Sequence, residues 1–290
     1  MIELLSNKLY YRNNAKPKWT PRKYIPEPPT PRPSQNTVLP QELVETIISY
    51  LIHDIPTLLA CSMTCFSWYI AALPHLHHSL TANDNAIPWE DGKYQWPGPL
   101  RKSYELGLLP LVRRFRIRHD FSVFAPEQLD RSTLRYFSAL TNVQDLGIDD
   151  LQISSFMPRI RQSFGHFSPT LRSLALRKPI GSCRQILYFI GLFPNLQDLK
   201  LCYLTEERES TADADLVPLS VPPLQGQLTL VGFTKGKLMK EMIALFGGLH
   251  FRHMNIFDVW CVRLLLGACA ETLEVLQLYA TDLFGEDDFE

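Results

Sequence analysis

The sequence predicts an α/β chain: a short three-helix segment followed by a repeated strand-and-helix array with a parallel inner sheet. Two observations predict it. Leu39, Leu43, Ile47 and Leu51 recur every four residues with Val44 and Ile48 alongside, which makes one broad helical stripe. From Val112 onward an apolar pattern φ-x-x-φ-x-φ recurs seven times.

The helical segment follows in order. Pro40 suits a first helical turn, where its missing N–H costs nothing. Asp54 is placed to cap a second helix, with Pro56 in its first turn and Leu58, Leu59 and Met63 on its face. A third short helix carries Phe66, Trp68, Tyr69 and Leu73, and Pro74 is expected to end it. Helices this short cannot each bury an apolar stripe alone. They must pack together, with some apolar surface left for a partner.

The repeated units are Val112/Phe115/Ile117, Val143/Leu146/Ile148, Leu171/Leu174/Leu176, Leu196/Leu199/Leu201, Leu224/Leu228/Leu230, Phe251/Met254/Ile256 and Leu273/Leu276/Leu278; the fifth is one residue wider. Their middle positions lie 22 to 31 residues apart, within or near the range of leucine-rich repeats. The alternation φ-x-φ is a short strand. The connecting segments keep helical spacing, as in Ile186/Phe189/Ile190/Phe193 and Met239/Met242/Ile243/Phe246. Strand then helix, repeated, stacks into a solenoid.

Four regions result: a Pro-rich basic tail over 1–36, the helical segment over 37–81, a connector over 82–110 and the array over 111–290. The tail holds seven prolines and a net charge of +5, which leaves −6 for the rest of the chain. It reads as a solvated, extended segment: a docking peptide through Pro28–Pro31, a basic localisation patch, or a tail whose sequence matters little. The connector holds Pro88, Trp89, Gly92, Trp96, Pro97 and Gly98, with room for a short helix around Arg101–Leu106. Thr205–Pro223, rich in acids and prolines, is expected to be an insertion. The seventh strand is expected to be the sheet edge, with Leu283 and Phe284 laid over the open core and the acidic end of the chain as a guard against edge pairing.

Composition bounds the function. The 290 residues suggest about two domains. A net charge of −1 argues against a body that tracks nucleic acid, and 46% hydrophobic residues argue against a wholly disordered chain. Cys61, Cys65, Cys183, Cys202, Cys261 and Cys269 form no C-x-x-C pair. With no signal peptide or membrane span legible, reduced thiols and a cytoplasmic or nuclear setting are expected.

Catalytic and metal signatures fail on spacing. Gly232–Lys237 lacks one residue between its glycines and a Ser or Thr after the lysine, so it does not cradle phosphate. His75, His77 and His78 downstream of Cys61 and Cys65 lack zinc spacing, and read as a polar helix end. His250 and His253 would face opposite ways on a strand. Asp213 and Asp215 sit in the acidic loop without partner motifs. No nucleophile elbow or catalytic cysteine signature occurs. No catalytic residue, metal or cofactor is expected.

The helical segment resembles an F-box. The likeness lies in Leu39-Pro40-Gln41-Glu42-Leu43, in Ile47, Leu51, Leu58 and Leu59, in Thr64-Cys65-Phe66-Ser67-Trp68 and in Pro74-His75-Leu76. The array resembles the irregular leucine-rich-repeat region of fungal F-box proteins, with Leu106–Val112 at its start. The Asn that regular repeats place three after the last strand leucine is missing; those positions hold Asp120, Leu151, Pro179, Leu204, Phe233, Val259 and Thr281. An Asn ladder is therefore not expected to tie the turns.

The resemblance implies the substrate-recognition subunit of a cullin-type ubiquitin ligase. The F-box would bind a Skp-type adaptor, and through it a cullin, while the repeats select a protein substrate. Such a chain catalyses nothing itself and raises the substrate's effective concentration. Leu39, Pro40, Leu43, Ile47, Leu51 and Leu59 carry over as adaptor contacts, and Trp68 as a staple between the helices. The alternative is a scaffold outside any ligase whose F-box-like helices cap the array. Partial exposure of Leu39, Pro40 and Leu43 would favour a waiting partner. Burial against residues after 100 would favour a cap.

On the inner face, parallel register sets Arg114 beside Asp145 and Arg118 beside Asp149, and leaves Arg116 facing Gly147. Arg116 is thus the candidate for an acidic substrate group, with Phe257 and Tyr279 as candidate substrate anchors.

Overall fold

The computed structural model describes residues 39–83, 98–118, 131–157, 160–206, 224–232, 237–245, 249–257 and 262–279. The basic tail, residues 207–223 of the expected insertion, residues 84–97 of the expected connector and the last eleven residues lie outside this set. The chain divides into two compact units, 1–40 and 41–290.

The second unit begins with three helices: α1 (Gln41–Tyr50), α2 (Ile55–Ser62) and α3 (Phe66–Leu76). Asp54 caps α2 as its position suggests. It accepts from the Thr57 amide at 3.1 Å and from the Thr57 hydroxyl at 2.6 Å. Both bonds hold its carboxyl below the ordinary value. The helices close on a small core of Val44, Ile48, Leu58, Ala71 and Ala72, with Trp68, Leu51 and Leu76 packed against it. Helix α3 runs through Pro74 rather than ending there. Only two residues follow that proline, so the ladder bond it removes belongs to the fraying last turn.

The rest is a mixed α/β assembly on one eight-stranded sheet, all parallel and in chain order among the described residues. Its strands are β1 (Ser79–Asn83), β2 (Arg114–Arg118), β3 (Asp145–Asp149), β4 (Ser173–Arg177), β6 (Asp198–Cys202), β8 (Gln225–Val231), β9 (His250–Ile256) and β10 (Val275–Leu278). Two short strands, β5 (Ile180–Gly181) and β7 (Thr205–Glu206), pair beside it. Helices connect the strands: α4 (Gly98–Glu105), α5 (Arg131–Ala139), α6 (Ile153–Phe156), α7 (Ile160–Phe164), α8 (Cys183–Ile190), α9 (Lys237–Leu245) and α10 (Val262–Cys269).

Strand β1 is an eighth strand beyond the seven that the pattern gives, and it straddles the expected boundary at 81. It pairs with β2 from Ser79↔Arg114 to Asn83↔Arg118 and buries Ala82. Its signal is faint because Ala82 is small and His77 stands where the first apolar residue of a unit belongs. Leu100 and Leu109, inside the expected connector, are fully buried in the core of the sheet.

The apolar residues of the first six units are all buried under the sheet. A chain of rings runs through that core: Phe115 to Phe137 at 5.9 Å, Phe137 to Phe164 at 5.9 Å, Phe164 to Phe189 at 5.3 Å and Phe189 to Phe193 at 5.4 Å. The seventh unit differs. Leu273 and Leu276 are half-buried, and Leu278 is 53% exposed on the edge strand. The wider fifth unit is a bulge between Gly226 and Gln227, with Gly226 at φ +104°.

The turns are tied without the missing Asn. Asp150, Lys178 and Tyr203, each following a strand, take φ of 55°, 51° and 52°. Their amides donate at 2.7 Å to the Arg177, Cys202 and Val231 carbonyls of the next strand. At the opposite ends of the strands, side chains reach back one repeat. Asn142 donates to the Pro110 carbonyl, Thr170 to Val143, Asn195 to Pro169 and Thr272 to Phe251, at 2.7 to 3.3 Å. Each of these four residues directly precedes the first apolar residue of its unit.

Candidate functional site

Two faces of the second unit carry side chains that its own cores leave at the surface. The first is on the helical segment. Leu43 and Ile47, one turn apart on α1, are 50% and 40% exposed, while their neighbours Val44 and Ile48 are at 2% and 0%. Leu59 on α2 is 51% exposed beside the fully buried Leu58. The helical stripe read from the sequence is therefore two stripes, one closing the bundle and one facing outward. Leu51 packs against the bundle core. In the first unit, Leu39 and Pro40 are both exposed.

Further apolar side chains stand out here that the sequence reading did not place among the adaptor contacts. Tyr50, Met63 and Phe66 are strongly exposed, and Tyr69 and Ile70 follow Phe66 at helical spacing on α3. For Tyr50 the signal was present, since it sits seven residues after Leu43. Most of the large apolar residues that the described chain exposes lie in this segment, an excess typical of a surface that meets a partner.

The second face is the side of the sheet away from the buried leucines. Registers are those read from the sequence: Arg114↔Asp145, Arg116↔Gly147 and Arg118↔Asp149. Arg114 Nε lies 3.6 Å from Asp145 Oδ2. Both side chains are well exposed, so the pair is worth at most about 1 kcal/mol. Arg116 lies across Gly147, where an added Cβ would stand 3.3 Å from its Nε. Small residues at Gly147 and Ala175 open a pocket of about 170 Å³, walled by Arg116, Arg118, Arg177 and Lys200 and by Asp149. Arg116 and Arg177 have no carboxylate within 4.0 Å among the described residues. Cys202 also lines this pocket; burial holds its thiol above the ordinary value against the pull of Lys200 and Arg177.

Along the same face, Phe257 and Tyr279 stack, with centroids 4.2 Å apart and planes within 6°. The Tyr279 hydroxyl donates to Gln277 Oε1 at 2.8 Å. The structure thus brings Phe257 and Tyr279 together and sets Arg116 apart on β2.

A larger open groove of about 780 Å³ runs along the starts of the strands, between Pro169, Asn195, Asp198 and Arg252. Its walls are mostly turn residues, and Asp198 is pushed above the ordinary carboxyl value by burial and by Asp145. At the end of α3, His75 and His77 are held below the ordinary imidazole value, first by burial. Among the described residues no group of three or more His, Cys, Asp or Glu could hold a metal ion, and no helix is long and apolar enough to cross a membrane. Cys183, Cys202 and Cys269 are buried, whereas Cys65 is exposed at the start of α3.

No protein-family model matches the chain, and no curated protein matches it by sequence.

Proposed function

We propose that the chain is the substrate-recognition subunit of a cullin-type ubiquitin ligase. In this reading the three helices are an F-box that binds a Skp-type adaptor, the sheet and its helices are an irregular leucine-rich-repeat solenoid, and the open sheet face takes a protein substrate. The chain supplies proximity and no catalysis of its own.

The observation that carries the reading is the split between neighbours on α1: Leu43 and Ile47 outward, Val44 and Ile48 inward. Three or four such aliphatic side chains are worth roughly 1.5–3 kcal/mol each on burial, before the cost of association. The scaffold alternative expects the same residues to be spent against the array as a cap. The helices instead close a core of their own, separate from that of the sheet, and this favours a waiting partner. Arg116, Phe257 and Tyr279 serve as substrate contacts in this reading.

The test is reconstitution from purified components. The full chain should co-elute with a Skp-type adaptor, and the pair should join a cullin and its RING partner in one complex. A chain that stays monomeric beside excess adaptor would contradict the reading.

A further inference from the structure

We infer that the open sheet face is a two-point reader of extended peptide, taking an oxyanion side chain in the Arg116/Arg177 pocket and an aromatic or large apolar side chain at the Phe257–Tyr279 stack. This rests on the reading of that face as the substrate-binding surface, and adds the chemistry and spacing of what it holds.

The geometry comes from one row across the sheet. Asp149, Arg177, Cys202 and Val231 are register partners on successive strands. The row continues to Phe257 and Tyr279, whose amides donate to the Leu230 and Ile256 carbonyls. The basic pocket ends at Val231, and the aromatic stack begins on the next strand. Arg177 on β4 and Phe257, one residue past β9, are three strand steps apart, and Tyr279, one past β10, is four. At 4.8 Å per step these spans are about 14 and 19 Å. An extended peptide lying across the strands covers them in about four to six residues at 3.3 Å each.

Charge decides the first point. Four cations and one carboxylate wall a pocket that small residues keep open. Its size suits a carboxylate or phosphate group rather than a larger ligand. Toward the last strands the face is neutral, with Thr229, Asn255 and Gln277 between the pocket and the edge. A nucleic-acid strand would need cations along its whole length, so the localised pocket favours a peptide with one anionic residue.

Fluorescence anisotropy on the full chain tests this with labelled twelve-residue peptides of Gly, Ser and Thr. Each carries one Trp and one anionic residue, either glutamate or phosphoserine, set two, five or nine positions apart. The five-residue spacing should bind at least about tenfold tighter than peptides lacking either group. The glutamate and phosphoserine arms separate a carboxylate from a phosphate ligand. Arg177→Glu should abolish the gain from the anion and keep that from Trp. Phe257→Ala should do the reverse, with unchanged thermal midpoints. An anion gain that survives Arg177→Glu, indifference to spacing, or tighter binding of a twelve-nucleotide single-stranded RNA would overturn the inference. Adaptor binding is measured alongside. A flat peptide series with intact adaptor binding would sink this inference alone, and lost adaptor binding with the peptide pattern intact would sink the ligase reading alone.

Discussion

Gly226 lies so close to Gln197 that an added Cβ would overlap the Gln197 carbonyl oxygen. The approach is fixed from both sides, because the Gln227 amide donates to that same carbonyl at 3.0 Å. With φ at +104°, the position excludes a side chain on backbone grounds as well. Gly226→Ala should therefore cost about 2–4 kcal/mol in denaturant unfolding. Gly165→Ala, with open space around the added carbon, should be close to neutral. Equal effects would mean that the bulge relaxes freely.

Acid should weaken the fold through His166. Its ring lies against Phe167 at 3.8 Å, with Nε2 buried and unpartnered among the described residues. Burial lowers its pKa to about 4, against a weaker opposing hydrogen bond to the Phe137 backbone. An unfolded imidazole titrates near 6.5. Between these values the unfolded chain takes up a proton that the folded one refuses, so stability present above pH 6.5 is lost as pH falls toward 4. Thermal midpoints across that window should drop more steeply in wild type than in His166→Leu. Parallel slopes would place the acid sensitivity elsewhere.

The side-chain ties between repeats should be measurable singly. Thr170→Val keeps shape and removes the bond to the Val143 carbonyl, and should cost about 1 kcal/mol. Asn195→Ala, at an exposed site, should cost less. Lys178→Gly relieves a left-handed backbone at φ 51° and should be neutral or slightly stabilising. A large loss at Lys178 would show that its side chain, rather than its backbone, holds the turn.

The sheet edge should open first. Strand β10 pairs only with β9 among the described residues, and Val275 and Leu278 are exposed on it. Amides of 275–278 should exchange faster than those of 174–176 in the sheet centre. Equal protection would require a partner or a second copy over that edge.

The sheet was legible because its pattern is enforced residue by residue. Each φ position is a buried contact, and a one-residue slip would turn every leucine outward, so spacing alone gives the register of Arg114 with Asp145. What escaped were features carried by geometry rather than side-chain type. Strand β1 shows only Leu80 and Ala82, too small a signal to count as a unit. The backbone ties at Asp150, Lys178 and Tyr203 involve three unlike residues doing one job. The tie at Asn142, Thr170, Asn195 and Thr272 sits before the strand, where the search for an Asn after it could not find it. On α1 the periodicity gave one stripe, and only packing against α2 and α3 assigns Val44 inward and Leu43 outward. The anchor pair Phe257 and Tyr279 was visible as two aromatics one past their strands, but their stacking depends on the pairing of β9 with β10.

The most direct measurement is titration of a purified Skp-type adaptor against three forms of the full chain: wild type, Leu43→Asp and Val44→Asp. Val44→Asp buries a charge in the helical core and should unfold that segment, which gives the signature of structural damage. Leu43→Asp should keep the wild-type far-ultraviolet spectrum and thermal midpoint yet weaken adaptor binding by at least about a hundredfold. Wild-type affinity in a folded Leu43→Asp chain, or no binding by wild type, would contradict the assignment of this face to an adaptor.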